Sequence, residues 1–411
     1  MTALSPGPTA SRLTSLDAFR GATIMAMILV NNPGTWAHVY GPLLHAEWHG
    51  WTPTDLVFPF FLFIAGVAIP LALGRRLEAG VPRSALLAKA AKRGAILFGL
   101  GVFMAFYPGL HFPLISSEPG IGLRAASWEK LRIMGVLQRI GLSYFFAAAL
   151  YLYLPRRRLL WATAALLLVS WALLVGVPVP EYGAGELDIK AGNIGAWIDR
   201  AVLGSNHLWA GANREWDPEG LFGTLNATAT ALFGVLAGLL LRSGRDRTLV
   251  TTSLLATGVV LLCVGYAWSW ALPLNKALWT SSYTVFTAGQ GFLLFGLFFW
   301  WLDAHPDESV RERTSRWARP FVIYGINALA VFFFSGLLAK TLILIRVPLR
   351  FSHGGPAEAN DTSVWSWIYQ AIFDPLPLPD KSTSLLFALA WVGFWFLILR
   401  WMAKRNLIWK V

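Results

Sequence analysis

Apolar residues in this chain come in long blocks rather than at the spacing of an amphipathic helix or strand. The block after Asp55, LVFPFFLFIAGVAIPLALG, runs from 56 to 74 without a charge. A membrane-crossing helix needs about 20 mostly apolar residues. Ten stretches answer to that description: 14–33, 53–74, 92–108, 134–154, 158–178, 220–241, 249–271, 279–302, 320–345 and 384–403. Asp17 and Arg20 interrupt the first of them. The segment VWSWIYQAIF (364–373) is too short to span, and its Trp and Tyr suit the membrane–water interface. The pattern predicts an all-α fold, a polytopic transmembrane helical bundle of about ten spans, as one domain over 1–411.

Composition agrees with the pattern. Of 411 residues, 56% are hydrophobic and 14% charged, with 21 Trp; an average soluble domain carries about 25% charge. A soluble enzyme, a disordered chain and a single-span anchored domain are excluded. Cys263 is alone, so it forms no internal disulfide and by itself holds no metal. The first twelve residues are polar and lead to no cleavage site, so no signal peptide is expected. The net charge of +12 reads as cytoplasmic loops rather than affinity for nucleic acid. With ten spans, one set of connections holds 21 Lys and Arg and the alternate set 10. The richer side is expected to be cytoplasmic. Both termini then lie inside, and the connections 34–52, 109–133, 179–219 and 346–383 face outward.

Polar residues near the spans are the candidates for chemistry, because ionisable groups in a bilayer are costly. In HAEWHGWTPTDLVFP (45–59), His45 and His49 precede the second span and Asp55 begins it. An imidazole can act as base or acyl carrier, and a carboxylate can hold its tautomer. The plain alternative is two solvated histidines and an aspartate that caps a helix with Thr52 or Thr54. The His-x3-His spacing lacks a third ligand, and no metal is expected. Asn31-Asn32-Pro33 closes the first span, either as a helix cap or as an amide for a carbonyl or sugar hydroxyl. Asp217 and Glu219 enter the sixth span, where acids offset a helix dipole; Asn226 already lies at hydrocarbon depth. Asn275 and Lys276 stand at the mouth of the eighth span, where Lys276 could simply snorkel. Gln138 and Arg139 sit inside the fourth span. Arg139 needs an acidic partner, for which Asp55, Asp217 and Glu219 are candidates. Polar groups from five spans at one membrane face predict a wet cavity that opens outward.

Several blocks carry a resemblance. RLTSLDAFRG (12–21), LVNNPG (29–34), HAEWHGWTPTDLVFPFFLFIAG (45–66), VLQRIGLSYF (136–145), IDRAVLGSNHLW (198–209), DPEGLFGTLNA (217–227), NKALWTSSY (275–283), YGINAL (324–329) and NLIWKV (406–411) resemble heparan-α-glucosaminide N-acetyltransferase and its bacterial relatives, in the same order along the chain. The resemblance implies a multispan helical bundle that moves an acetyl group from cytosolic acetyl-CoA to the amino group of a terminal glucosamine across the membrane. It assigns the active-site histidine of the His-Ala-x-Trp motif to His45 rather than His49, the companion asparagine to Asn31 and the motif aspartate to Asp55. The chain carries three more residues between Asn31 and His45 than is expected of the animal enzymes, and is read as lacking their additional N-terminal span and luminal domain. Glucosamine or a short amino-sugar oligomer is therefore expected as acceptor, rather than a heparan chain.

On this reading His45 deprotonates the amine or first carries the acetyl group. Asn31 steadies the oxyanion and Asp55 orients His45. Asp217 and Glu219 attract the acceptor's ammonium form, with Asn226, Asn275, Lys276, Gln138 and Arg139 as further binding residues. The expected partners are acetyl-CoA as co-substrate, the amino sugar and the lipid bilayer, with no nucleic acid and homodimerisation left open. The expected location is a bacterial inner membrane. The rival is a secondary transporter of amino sugars with His45 and Asp55 as a proton relay, since polar groups between spans suit that class too.

Overall fold

The computed structural model describes residues 13–109, 128–348 and 361–409. Helices dominate. They are α1 (Thr14–Asn31), α2 (Val57–Glu78), α3 (Arg83–Phe106), α4 (Val136–Tyr153), α5 (Arg156–Gly176), α6 (Ile194–Leu203), α7 (Thr224–Leu241), α8 (Arg247–Trp268), α9 (Ser281–Phe299), α10 (Glu308–Ile326), α11 (Ala328–Leu344), α12 (Val364–Ile368) and α13 (Asp380–Lys404). Two short antiparallel ribbons complete the described residues: β1 (Pro178–Val179) with β2 (Gly183–Ala184), and β3 (Arg346–Pro348) with β4 (Asp361–Ser363). Both lie in connections read as outward.

Each of the ten apolar stretches contains helix. Among the described residues seven helices are long and apolar enough to cross a membrane, and α10 with α11 makes an eighth if taken as one broken span. The two others are α1, which carries Asp17 and Arg20, and α3, whose first half carries Lys89, Lys92 and Arg93. The stretch 320–345 is not one straight helix: it bends by 68° between Ile326 and Ala328. A long-range tie marks the break. Asn327 leaves the helical conformation, and its amide is occupied by residues 407–409, donating to the carbonyl of Leu407 at 3.0 Å and accepting the N–H of Trp409 at 2.9 Å. The 364–373 segment does not span; Trp365 and Tyr369 pack against Phe387 of α13.

The interior is built from α2, α7 and α9, most of whose residues are buried, whereas α5, α8 and α13 expose most of their length. Apolar attraction does not by itself join helices in lipid, so close approach between backbones must. Glycines supply it reciprocally. A Cβ on Gly66 of α2 would stand 1.9 Å from the Ala231 carbonyl oxygen of α7, and one on Gly234 of α7 would stand 2.0 Å from that of Phe63. Gly21 of α1 and Gly325 of α10 are matched in the same way against Phe321 and Asp17. Aromatic rings fill the layer beneath: Phe63 meets Phe292 edge-on at 5.1 Å, and Phe19 meets Phe60 at 5.4 Å. Replacing Gly66 with Ala is expected to cost at least the ~1–3 kcal/mol of ordinary overpacking, because the obstacle is backbone. The check is the thermal midpoint of the detergent-solubilised protein, which falls in Gly66→Ala and holds in Gly99→Ala, where the added methyl meets open space.

Candidate functional site

The chain enters α2 through a tight turn, Pro53–Leu56, in which Thr52 is the N-cap and Asp55 stands three residues on. Exposed backbone donors at a helix start attract a carboxylate. Here Asp55 Oδ2 accepts the N–H of Thr52 at 3.0 Å and that of Ala46 at 3.0 Å, so the turn fixes the carboxylate by two backbone bonds. Thr54 does not cap; its hydroxyl donates to the Pro42 carbonyl. The second carboxylate oxygen, Oδ1, lies 2.7 Å from Nδ1 of His45. Asp55 is buried, while half of the His45 side chain is exposed. Below it, the Tyr283 hydroxyl of α9 donates to the Asp55 carbonyl at 2.6 Å.

Lys276 completes the cluster. Its Nζ is 3.4 Å from Asp55 Oδ1 and 2.9 and 3.3 Å from the two ring nitrogens of His45. It therefore does not snorkel. Burial pushes its ammonium below the ordinary lysine range, with Asp55 and then Glu219 pulling the other way. With a proton on Nδ1, the imidazole donates to Asp55 and Nε2 is the basic nitrogen, within reach of the Lys276 ammonium; with the proton on Nε2, Nδ1 accepts from Lys276.

His49 has a different place. Nε2 meets Asp188 at 2.9 Å and Nδ1 meets the Asn275 amide at 3.2 Å. Trp48 donates to the Leu187 carbonyl at 2.6 Å and lies edge-on to Trp216 at 5.2 Å, with the Lys190 ammonium 5.5 Å over its ring. The segment 179–219 is thus tied across the strip 45–50. Asn275 is fully buried and also caps its own turn by accepting the N–H of Leu278.

The acids before α7 are differently engaged than expected. Helix α7 starts at Thr224, so Asp217 and Glu219 lie in the preceding turn. Neither pairs with Arg139. Arg132 grips Asp217 through two bonds of 2.8 and 2.6 Å and also bonds Glu219. Arg139 instead donates to the carbonyls of Pro218 and Gly220, at 3.0 and 2.6 Å, and stacks 5.2 Å over Trp279. The expectation of an acidic partner for Arg139 is therefore corrected: carbonyl dipoles and a ring face solvate it, and the acids act on it from a distance. Burial opposes the Arg132 charge, but Asp217 and Glu219 outweigh it and raise its pKa. Burial would raise Glu219 as well; Arg132, then Arg139 and Lys276, hold it below the ordinary range. Burial pushes Asp217 up against the pull of Arg132. Both acids are thus engaged by Arg132, which leaves less charge for an acceptor ammonium than expected.

Two further candidates are structural ties. Asn226 is fully buried and donates to the Trp279 carbonyl at 2.7 Å and the Ser170 hydroxyl at 2.9 Å, joining three elements. Gln138 is buried and donates to the Ile133 carbonyl. In Asn31-Asn32-Pro33 the cap is Asn32, whose amide donates to the Ile28 carbonyl at 2.7 Å. Asn31 is exposed at the end of α1 and makes no side-chain hydrogen bond among the described residues.

Sequence reasoning missed Arg132, Asp188 and Asp199. Arg132 was countable only as an outward charge, yet a lone arginine against two acids at a span mouth is itself a pairing signal. Asp199 on α6 is buried and accepts the Leu221 N–H at 2.7 Å. Burial pushes it up to about 7.

Two outcomes follow. Arg132→Gln leaves the buried Asp217 carboxylate without its ion-pair partner, and an expected loss of about 3–5 kcal/mol is read as a lower melting temperature. Asp199 keeps its proton in the folded protein up to about pH 7, whereas its ordinary value is 3.8. The unfolded chain therefore releases that proton first, and stability declines as pH rises from about 4 through 7. In Asp199→Asn the melting temperature should lose this part of its pH dependence.

A family model described as a domain of unknown function (DUF5009) matches residues 12–137. Heparan-alpha-glucosaminide N-acetyltransferase of Mus musculus is 31% identical over 371 residues, covering 79% of this chain and 53% of the mouse protein. The Homo sapiens protein of the same name is 31% identical over 371 residues, covering 78% of this chain and 52% of its own length. The chain thus spans about half the length of the curated relatives it matches. It is a distant relative of the heparan-α-glucosaminide N-acetyltransferase family.

Proposed function

We propose that the protein is a transmembrane N-acetyltransferase that moves the acetyl group of cytosolic acetyl-CoA to the amino group of glucosamine, or of a short glucosamine-terminated saccharide, on the outer side of a bacterial inner membrane. The observation that carries the reading is the cluster of His45, Asp55 and Lys276. A half-exposed imidazole is held by a buried carboxylate at one end of the bundle, and Arg75, Arg76 and Arg242 mark the other end. Both termini and that basic end face the cytoplasm.

A neutral amine attacks a thioester; an ammonium does not. His45, oriented through Nδ1 by Asp55, takes the amine proton on Nε2 as the C–N bond forms. The C–S bond then breaks, and the imidazolium returns the proton to the departing thiolate. Lys276, within 3.3 Å of Nε2, and Asn31, at the end of α1, are the donors for the carbonyl oxygen as it becomes an oxyanion. A first acetyl transfer to His45 uses the same groups in two steps.

The transporter reading draws its support from the broken pair α10 and α11, since discontinuous helices are common in such proteins. One assay separates the two. Purified protein in vesicles is given acetyl-CoA and glucosamine, and free thiol and N-acetylglucosamine are measured. His45→Ala is expected to lower turnover by about 10²–10⁴-fold, the usual worth of general acid–base catalysis. Near-wild-type turnover in that variant removes His45 from the mechanism. Glucosamine uptake without thiol release replaces the enzyme by the transporter.

A further inference from the structure

Helix α6 keeps its charges inside and its apolar side chains outside. Asp199 is buried and accepts the Leu221 N–H, and the Arg200 guanidinium donates to the carbonyls of Ala191 and Glu215 at 3.0 and 2.6 Å. The side chains left outward are Trp197, Ala201 and Val202, all exposed, Val202 by 66%. With Ile198 they span about 140° of the helix surface, the breadth of an ordinary apolar face. On a helix that meets water such a face turns to a core and charge turns outward. Here the order is inverted, and Ala201 and Val202 stand uncovered among the described residues.

The neighbours of that face indicate what it meets. Ile194 and Ile198, on the same side of the helix, pack with Leu173, Leu174 and Val177 at the end of α5, and with Phe222 and Leu225 where the chain enters α7. Helix α5 is long and apolar enough to cross a membrane and exposes most of its length. Val175, in its last turn, is 41% exposed. The lipid-facing surface of α5 therefore continues onto α6. That height is the level of the span ends, where Trp is favoured. Helix α6 is too short to cross by itself: ten residues make about 15 Å of helix, against roughly 30 Å of hydrocarbon.

We propose that α6 is an interfacial helix, lying along the leaflet at the His45 end of the bundle with Trp197, Ala201 and Val202 sunk into lipid. The connection 179–219 is then not a free loop. Trp48 and His49 tie it to the strip beside the site, α6 anchors it in the bilayer, and Asp199 links that anchor to the turn before α7. The inference rests on the helix alone and stands whether the protein transfers acetyl groups or transports sugars.

The test reads depth with spin labels on the full chain in phosphatidylcholine nanodiscs. Cys263, exposed on the lipid-facing α8, is the one cysteine of the chain and supplies the lipid reference. In a Cys263→Ser background, Ala201→Cys and Val202→Cys report on α6, and Glu215→Cys, exposed in the same connection, supplies the aqueous reference. Labels at 201 and 202 are expected to collide with oxygen more than the label at 215 does, and several-fold less with a water-soluble nickel chelate. In the unsubstituted protein, phosphatidylcholine carrying a diazirine on its acyl chain should attach to 194–203 and not to 213–216. Free access of the chelate to 201 and 202 overturns the proposal, as does an absence of lipid adducts on α6. Labels shielded from both reagents put protein on this face instead and overturn it too. Spin–spin broadening at 202 that fades on dilution with unlabelled protein does the same, and identifies a second copy of the chain as the cover.

Discussion

Asp55 is the point on which the outer half of the molecule converges. A carboxylate withdrawn from water is tolerable only where donors surround it, and this one has four kinds: two backbone N–H groups, the His45 ring, the Lys276 ammonium and the Thr52 hydroxyl. Its own carbonyl holds Tyr283. One residue therefore sets the start of α2, the pose of the imidazole and the seat of α9. A change to the carboxylate alters the turn and the imidazole together, whereas the carbonyl that seats Tyr283 belongs to the backbone.

Around that point the polar residues divide by what they touch. His45 and Lys276 keep faces toward open space or toward each other. Asn226, Gln138 and Arg139 spend their donors on carbonyls of neighbouring segments. In a bilayer this second group substitutes for the apolar association that binds helices in water. Arg139 illustrates the arrangement: two carbonyls and the face of Trp279 surround its guanidinium, and among the described residues no acid bonds to it.

Much of the fold was readable in advance because lipid imposes one demand, a long apolar run, and runs are visible in a sequence. The break at Asn327 was not visible, since it depends on Leu407 and Trp409 some eighty residues later. At the candidate site, position before a span offered His45, His49 and Asp55 alike, and only the resemblance singled out His45; its contact with Asp55 follows from the turn at Pro53. Lys276 was ambiguous because snorkelling and pairing have the same local signature; only its meeting with a loop more than two hundred residues away decides between them. The partner of Asp217 was misjudged for a related reason. Depth made Arg139 look needier than Arg132, but backbone carbonyls satisfied the deeper residue and left the acids to the shallower one.

The clasp between Asn327 and residues 407–409 bears on how this protein can be handled. Residues 407–409 are not slack chain into which an affinity handle or fluorescent insert can be placed without thought. They are the peg that occupies the broken helix at Asn327. Bulky sequence inserted close to Trp409 would pull on that peg, whereas an insertion carried on a long, slack linker would leave it seated.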